Sequence, residues 1–207
     1  MKKIAASFLM ILFCNGVHAQ QFIFFLHNAF LEIQGEAGVH PEYGKAEYSA
    51  IVSKFRSAGF VVISELRKRG TDAHEYAEKV SKQIDSLLNQ GVKPRDITVV
   101  GTSKGSYIAM CVSGLQRNPE LNFVFIACCD DDLIDNPRLH FCGNILSIYE
   151  QSDVIGKSCE PLKVKAGKDV VHYKEIELHT GLKHGFLFKP MDEWMQPAIR
   201  WAKKDYK

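Results

Sequence analysis

The amino-acid sequence predicts an α/β fold, in which a mostly parallel sheet of about six strands is covered by helices on both faces. Short apolar runs alternate along the chain with longer segments that have the periodicity of amphipathic helices. This alternation is typical of a parallel sheet whose strands are joined by helical crossovers. Because no repeat and no linker-like segment interrupts the pattern, we expect one domain over residues 20–207.

Most of the strands are predicted from apolar runs that are bounded by turn-forming residues. Residues 22–26 are apolar without interruption, as expected of a strand that is buried on both faces. Most of the later runs are rich in Val, Ile and Phe, which favour strands. In chain order, the predicted strands are 22–26, 60–63, 97–100, 123–126, 145–149 and 170–178.

The helices are predicted from segments in which apolar residues recur every three or four positions. Tyr76, Val80 and Ile84 form such a stripe, and Thr71 or Asp72 is placed to cap the first turn of that segment. In chain order, the predicted helices are 47–58, 72–90, 106–116 and 194–203.

The charge balance argues against a nucleic-acid partner. The chain has 26 Lys and Arg residues and 24 Asp and Glu residues. Lys2 and Lys3 account for the excess, so the rest of the chain carries no net charge when His is neutral. A domain without a basic surplus lacks the electrostatic attraction that phosphate backbones require.

Residues 1–19 have the pattern of a signal peptide. Two lysines precede an uncharged, mostly apolar run over 4–14, which is too short to cross a bilayer, since a spanning helix needs about 20 apolar residues. Val17 and Ala19 fit the two positions that a signal peptidase recognises, which predicts cleavage after Ala19. We therefore expect a secreted or periplasmic protein that has no stable membrane insertion after cleavage.

Export would leave five of the six cysteines in an oxidising compartment, where disulfides form. No C-x-x-C pair or His-rich cluster has zinc-binding spacing, so no metal site is expected. Cys111 falls in a predicted helix and is interpreted as a small core residue. We predict a disulfide between Cys159 and either Cys128 or Cys129, because the loops after the fourth and fifth strands should lie at the same edge of the sheet.

A G-x-S-x-G motif covers residues 101–105, between a predicted strand and a predicted helix. In a nucleophile elbow, a serine lies on a strained strand-to-helix turn, and the flanking glycines are needed because the turn leaves no room for Cβ atoms. Ser103 is therefore the candidate nucleophile. The alternative is a glycine-bounded turn whose serine only caps the helix.

A serine nucleophile needs a base, and the base needs a carboxylate that orients it. His184 is the candidate base, because it follows the last predicted strand after a short loop, and His179 is the alternative. Asp153 lies a short turn beyond the fifth strand and is the candidate acid. Glu150, at the end of that strand, is the runner-up.

Other acidic and imidazole groups are interpreted as structural. Asp130, Asp131 and Asp132 follow the fourth strand and form a rival acidic cluster, but such a run is usually a solvated loop. His74 lies inside a predicted helix and His172 inside a predicted strand, where a surface position is the simpler interpretation.

The chain resembles the α/β-hydrolases, because Ser103, Asp153 and His184 occur in that order at successive strand ends. Gly185 after the histidine and Leu-His-Asn at 26–28 add to the resemblance. The chain is similar in particular to small secreted bacterial serine hydrolases, through Glu-Tyr-Gly at 42–44, Ile-Ser-Glu at 63–65 and Arg-Gly-Thr-Asp at 69–72.

The resemblance implies an α/β-hydrolase-like sheet and a serine hydrolase that cleaves a small-molecule ester or related acyl substrate, without a cofactor or metal. In that family, two backbone N–H groups hold the oxyanion, here those of Lys104 and Ala29, with Asn28 as the alternative to Ala29. Asn28 and Phe30 are the candidate substrate-binding residues. The family commonly has His-Gly where this chain has His27 and Asn28, although Asn tolerates positive φ better than most residues. No insertion is long enough to form a lid domain, so we expect an open site.

Two other functions would use the same fold. One is a peptidase or a cell-envelope acyl hydrolase with the same three residues. The other is a non-catalytic periplasmic binding or scaffold protein, against which the presence of all three residues argues. Residues 30–45 carry several polar side chains, and they form either the wall of a polar pocket or a plain surface loop.

Overall fold

Six parallel strands form the central sheet of the computed structural model, which describes residues 20–134, 136 and 139–207. In chain order, the strands of the sheet and of a separate hairpin are β1 (Phe22–Leu26), β2 (Val39–His40), β3 (Gly44–Lys45), β4 (Val61–Ile63), β5 (Ile97–Thr102), β6 (Asn122–Ile126), β7 (Gly143–Glu150) and β8 (Val170–Leu178). β2 and β3 pair as a separate antiparallel hairpin. The other six lie in the order β4-β1-β5-β6-β7-β8. The predicted α/β fold class is confirmed.

Helices cover both faces of this sheet. They are α1 (Ala29–Gln34), α2 (Tyr48–Ser57), α3 (Ala73–Asn89), α4 (Lys104–Gln116), α5 (Asp131–Ile134), α6 (Glu160–Ala166) and α7 (Asp192–Ala202). Short 3₁₀ turns occur at Pro94–Asp96, Gly167–Asp169 and Lys183–Phe188. α2 and α7 pack on one face, and α3, α4 and α6 pack on the other.

Successive residues of β1 belong to two different hydrophobic cores. Ile23 and Phe25 pack in the core that includes α2 and α7, whereas Phe24 and Leu26 pack in the core that includes α3 and α4. Because side chains alternate along a strand, a strand that is covered on both faces must be apolar at every position. The uninterrupted apolar run over 22–26 is the direct result.

The long predicted elements are present, with ends that lie within two residues of the prediction. The shorter elements were not predicted: α1, the β2–β3 hairpin, α5 and α6. Each is too short for a hydrophobic period to show in the sequence. Asn28 caps the N-terminus of α1, because its Oδ1 accepts a hydrogen bond from the Leu31 N–H at 3.1 Å.

The predicted disulfide joins Cys129, which follows β6, to Cys159, which precedes α6. β6 and β7 are parallel neighbours, so the loops that follow them meet at one edge of the sheet. The Lys157 N–H also donates to the Cys129 carbonyl oxygen at 2.6 Å. The segment between β7 and α6 is therefore bonded to the loop after β6 at the end that adjoins α6. Cys111 is a buried residue of α4, as predicted.

The carboxyl ends of the parallel strands share one edge of the sheet, where sites of such folds usually form. The candidate site residues follow β1, β5, β7 and β8 at this edge. No group of three or more His, Cys, Asp or Glu side chains within the described ranges is arranged to bind a metal ion. Nor does any described helix have the length and apolar content of a membrane span.

Candidate active site

Ser103 lies on a sharp turn between β5 and α4, as the G-x-S-x-G motif predicts. Its backbone has φ 51° and ψ −121°, a conformation that residues other than glycine rarely adopt. A Cβ atom at Gly101 would overlap the backbone of Gly105, and one at Gly105 would overlap the Leu26 carbonyl group. Both glycines are therefore required by close backbone packing.

The strained turn is held by hydrogen bonds to the neighbouring strand. The Ser103 N–H donates to the Ile126 carbonyl oxygen at 2.8 Å. The buried Ser106 hydroxyl donates to the Gly101 carbonyl oxygen at 2.8 Å and accepts from the Ile126 N–H at 2.5 Å. These bonds fix the elbow against the end of β6.

The structure brings Ser103, His184 and Asp153 into one hydrogen-bonded chain. His184 Nε2 lies 2.9 Å from Ser103 Oγ, and His184 Nδ1 lies 2.6 Å from Asp153 Oδ2. The side chain of Asp153 is 1% exposed and that of His184 is 12% exposed. With its proton on Nδ1, the imidazole donates to the carboxylate and presents Nε2 to the hydroxyl, which is the arrangement that a serine nucleophile requires.

Local contacts position both partners of the serine. The second oxygen of Asp153, Oδ1, accepts from the Ile155 N–H at 2.9 Å, so the carboxylate cannot rotate freely. Gly185 follows His184, and a Cβ atom there would overlap the ring of Tyr43. The missing side chain therefore lets the β2–β3 hairpin pack directly on the histidine loop.

Glu150, the runner-up acid, binds two loops instead of the imidazole. Its buried carboxylate accepts from the backbone N–H groups of Ser152, Thr180 and Gly181 and from the hydroxyls of Ser152 and Thr180, at 2.8 to 3.2 Å. Burial by itself raises the pKa of Glu150, but these hydrogen bonds outweigh it and lower the pKa to about 2. Glu150 thus connects the turn that carries Asp153 to the loop that carries His184.

The alternative base and the rival acidic cluster make contacts away from Ser103. His179 is exposed, and its ring nitrogens face Gln151 and Glu177. Asp130 caps α5, because its Oδ1 accepts from the Leu133 N–H at 2.9 Å, and Asp132 is exposed. The side chain of Asp131 lies outside the described part of the structure.

Two more rejected candidates make structural contacts. His74 Nε2 lies 3.2 Å from the hydroxyl of Tyr107. His172 stacks on the ring of Tyr206 at 4.5 Å.

The predicted oxyanion donors are the first residues of two helices. Lys104 begins α4 and Ala29 begins α1. The first N–H groups of a helix have no acceptor within that helix, so they are free to bind an anionic oxygen. Asn28 has φ −69°, so this loop does not need a residue that tolerates positive φ.

Asn28 and Phe30 both have structural contacts. The amide of Asn28 is buried and caps α1. The ring of Phe30 packs on Phe188 at 5.0 Å and on His40 at 5.6 Å. That either side chain contacts substrate stays a prediction.

A cavity of about 310 Å³ lies beside the histidine loop. Its lining residues are Glu42, Tyr43, Gly181, Leu182, Lys183, Gly185 and Lys189. Glu42 and Tyr43 belong to the segment 30–45, which was expected to form either the wall of a polar pocket or a plain surface loop. Lys183 Nζ and Glu42 Oε1 form an ion pair at 2.9 Å on its wall.

Sequence reasoning missed a buried polar network next to the elbow. Burial and the neighbouring Arg67 lower the pKa of His27 to about 4, so its imidazole is neutral at pH 7. Its Nδ1 donates to the Asn28 carbonyl oxygen at 2.8 Å, and its Nε2 accepts from the Arg67 N–H at 2.9 Å. Glu32 and Lys104 complete this network. The only sequence signal was the position of His27 at a strand end.

Comparison with known proteins finds similarity in structure but not in sequence. No family model and no curated protein matches this chain. An esterase/lipase from an uncultured bacterium has a TM-score of 0.60 and 17% identity, over 93% of this chain and 79% of that chain. A monoacylglycerol lipase from Paleococcus ferrophilus has a TM-score of 0.56 and 12% identity, over 89% of this chain and 94% of that chain.

A third similar structure carries the name of the fold. It is an Agrobacterium tumefaciens protein of unknown function described as a candidate alpha/beta hydrolase, with a TM-score of 0.57 and 19% identity, over 90% of this chain and 85% of that chain. At such identities, the likeness establishes the fold of this chain, which is that of the α/β-hydrolases.

Proposed function

We propose that this chain, with its α/β-hydrolase fold, is an exported serine hydrolase that cleaves an ester or related acyl bond. The observation that carries the proposal is the hydrogen-bonded chain from Ser103 through His184 to Asp153, with its strained serine. Backbone strain of this kind is costly and clusters at functional sites. The esterase and lipase names of similar structures support the same class of reaction.

The proposed reaction begins with attack of Ser103 Oγ on the carbonyl carbon of the substrate. His184 Nε2 takes the hydroxyl proton, and Asp153 stabilises the imidazolium that forms. The carbonyl oxygen becomes an oxyanion, which accepts from the backbone N–H groups of Lys104 and Ala29. His184 then returns the proton to the leaving alcohol as the acyl–oxygen bond breaks.

The second half of the reaction releases the acyl group. Water adds to the carbonyl carbon of the acyl-enzyme while His184 Nε2 takes its proton. The tetrahedral intermediate collapses, the Ser103 oxygen leaves and His184 protonates it. This half releases a carboxylic acid and restores the free enzyme. The proposed steps use neither a cofactor nor a metal.

Export is the second part of the proposal. It is supported by the signal-peptide pattern over 1–19 and by the Cys129–Cys159 disulfide, since such bonds persist in oxidising compartments. The destination is the periplasm or the medium.

Labelling with a fluorophosphonate tests the proposed activity, because this probe phosphonylates an activated serine. We expect the wild-type protein to be labelled and to hydrolyse a short-chain nitrophenyl ester, and Ser103→Ala to do neither. Ser57→Ala, at an exposed position of α2, is the matched control and should behave as wild type. A folded wild-type protein that neither labels nor hydrolyses esters would contradict the proposal and favour the scaffold alternative.

A further inference from the structure

A buried carboxylate lies beside the elbow and binds two cations. Glu32 Oε1 accepts from Lys104 Nζ at 2.6 Å, and Glu32 Oε2 accepts from Arg67 Nε at 3.1 Å. The side chains are 3% exposed for Glu32, 0% for Arg67 and 28% for Lys104. Burial alone raises the pKa of Glu32, but hydrogen bonds from the two cations lower it below its ordinary value, so the carboxylate is ionised.

This ion cluster joins three separate segments at the carboxyl edge of the sheet. Glu32 belongs to α1, Lys104 begins α4, and Arg67 lies in the connection from β4 to α3. Lys104 Nζ also donates to the Thr71 carbonyl oxygen at 2.7 Å. Arg67 also donates through Nη2 to the His27 carbonyl oxygen. Arg67 therefore bonds both to His27, just before α1, and to Glu32, within α1.

The same two helices carry the proposed oxyanion donors. The Ala29 N–H belongs to the helix that holds Glu32, and the Lys104 N–H belongs to the residue whose ammonium binds Glu32. A buried ion pair is a weak source of net stability, because desolvation offsets the attraction between the charges. Positioning of the two helix ends explains the presence of these three charged side chains better than a contribution to stability does.

We infer that Glu32 and the Lys104 ammonium are positioning groups, which fix the distance between the two backbone N–H groups of the oxyanion hole. The inference rests on the proposed function. Oxyanion donors act only when they lie about 2.7–3.1 Å from the developing charge. A misplacement of about 1 Å costs roughly 10²-fold in rate.

Lys104→Met is the sharpest test. The substitution removes the ammonium but keeps the backbone N–H, most of the side-chain length and the Glu32–Arg67 pair. We expect kcat for a nitrophenyl ester to fall about 10- to 100-fold while KM stays within about threefold, since the lost contact matters mainly in the transition state. Lys104→Arg, which restores a cation for Glu32, should recover most of the lost kcat.

A transition-state analogue separates positioning from a general structural effect. A trifluoromethyl ketone forms a hemiketal with the serine, and the oxygen of that adduct occupies the oxyanion hole. Its inhibition constant should rise in Lys104→Met by the same factor by which kcat/KM falls. Lys79→Met, which breaks the exposed Glu65–Lys79 ion pair near the same connection, is the control and should change neither quantity by more than about twofold.

Three results would overturn the inference. Lys104→Met with wild-type kcat and ketone affinity would do so, and the proposed function would still stand on labelling of Ser103 in the wild type. A lower kcat with unchanged ketone affinity would also do so, because the oxyanion hole would then be intact. A wild-type protein without labelling or esterase activity would overturn both proposals.

Glu32→Gln is a poorer test than the Lys104 variants, because it is expected to destabilise the fold. Arg67 Nη1 already has no hydrogen-bond partner among the described residues, so loss of the Glu32 charge leaves a buried guanidinium poorly compensated. If Lys104→Met were to unfold, the loss of kcat in Lys104→Arg would decide the matter. A loss of more than about tenfold in that charged variant would contradict the inference.

Discussion

Asp153 and Glu150 are both buried carboxylates near the end of β7, and they bind different partners. Asp153 contacts the imidazole of His184 at 2.6 Å. Glu150 accepts from backbone N–H and hydroxyl groups of residues 152, 180 and 181. Asp153→Asn and Glu150→Gln should therefore have separate effects. The first should lower turnover, and the second should lower the stability of the fold.

Asp153→Asn is expected to lower kcat/KM by up to about 10⁴-fold while the fold stays intact. The amide cannot accept the Nδ1 proton in the same way, so the imidazole is no longer held in the productive tautomer. Ester hydrolysis and a thermal melt of the variant measure both expectations. Glu150→Gln should cost far less activity, and the reverse ranking would assign the acid to Glu150.

Glu150 should also make stability depend on pH in acid. A carboxyl group in an unfolded chain titrates near pH 4.3, whereas the pKa of Glu150 in the folded protein is about 2. The unfolded state binds the proton first, so the stabilisation is present above pH ~4.3 and is lost as the pH falls to 2. Its full size is about 3 kcal/mol.

Urea unfolding between pH 2 and pH 7 measures this contribution. The free energy of unfolding of the wild type should approach that of Glu150→Gln as the pH falls through this window. A difference between the two proteins that stays constant from pH 7 to pH 2 would show that Glu150 does not titrate as described.

The three residues of the proposed triad could be predicted from the sequence, whereas the ion cluster could not. Ser103 is marked by its motif, and Asp153 and His184 are marked by the strand ends before them. Glu32 is 35 residues from Arg67 and 72 residues from Lys104. In the sequence, each resembles an ordinary surface charge, because only the folded chain brings its partner into contact.

The inner strands β1, β5 and β6 were predictable because burial on both faces favours nearly continuous apolar runs. α1 was not predictable from such a pattern, since it has six residues and its capping residue Asn28 also suits many turns. The β2–β3 hairpin has strands of two residues each, which is too short for alternation to be seen.

The Cys129–Cys159 disulfide is the covalent link between two elements, and its removal should lower stability. The bond closes a loop with a sequence separation of 30, which corresponds to about 3.6 kcal/mol. For a domain of this size, Cys159→Ser should lower Tm by about 7–14 °C. Cys128→Ser, at the adjacent free cysteine, is the control and should leave Tm nearly unchanged.

Peptide mapping without reduction should recover the linked fragments of Cys129 and Cys159 from the exported protein. A free thiol at Cys159 in that material would contradict the disulfide. A wild-type protein treated with reductant should melt at the temperature of Cys159→Ser.

The exported chain is expected to begin at Gln20. Val17 and Ala19 fit the recognition pockets of a signal peptidase, and β1, the first described strand, begins at Phe22. Intact-mass measurement of the protein from the periplasm or medium checks the site. A mass that includes Met1 would contradict the signal-peptide interpretation.

The hydrogen bonds of Glu150 also bear on how the molecule moves. They join the turn that carries Asp153 to the loop that carries His184, so we expect thermal fluctuations to displace these two side chains together. Glu150 makes no such bond to the elbow after β5. If the proposed function holds, the distance that varies most with time should then be the one between His184 Nε2 and Ser103 Oγ, and the fraction of time for which it is short enough for a hydrogen bond would set how often the serine can react.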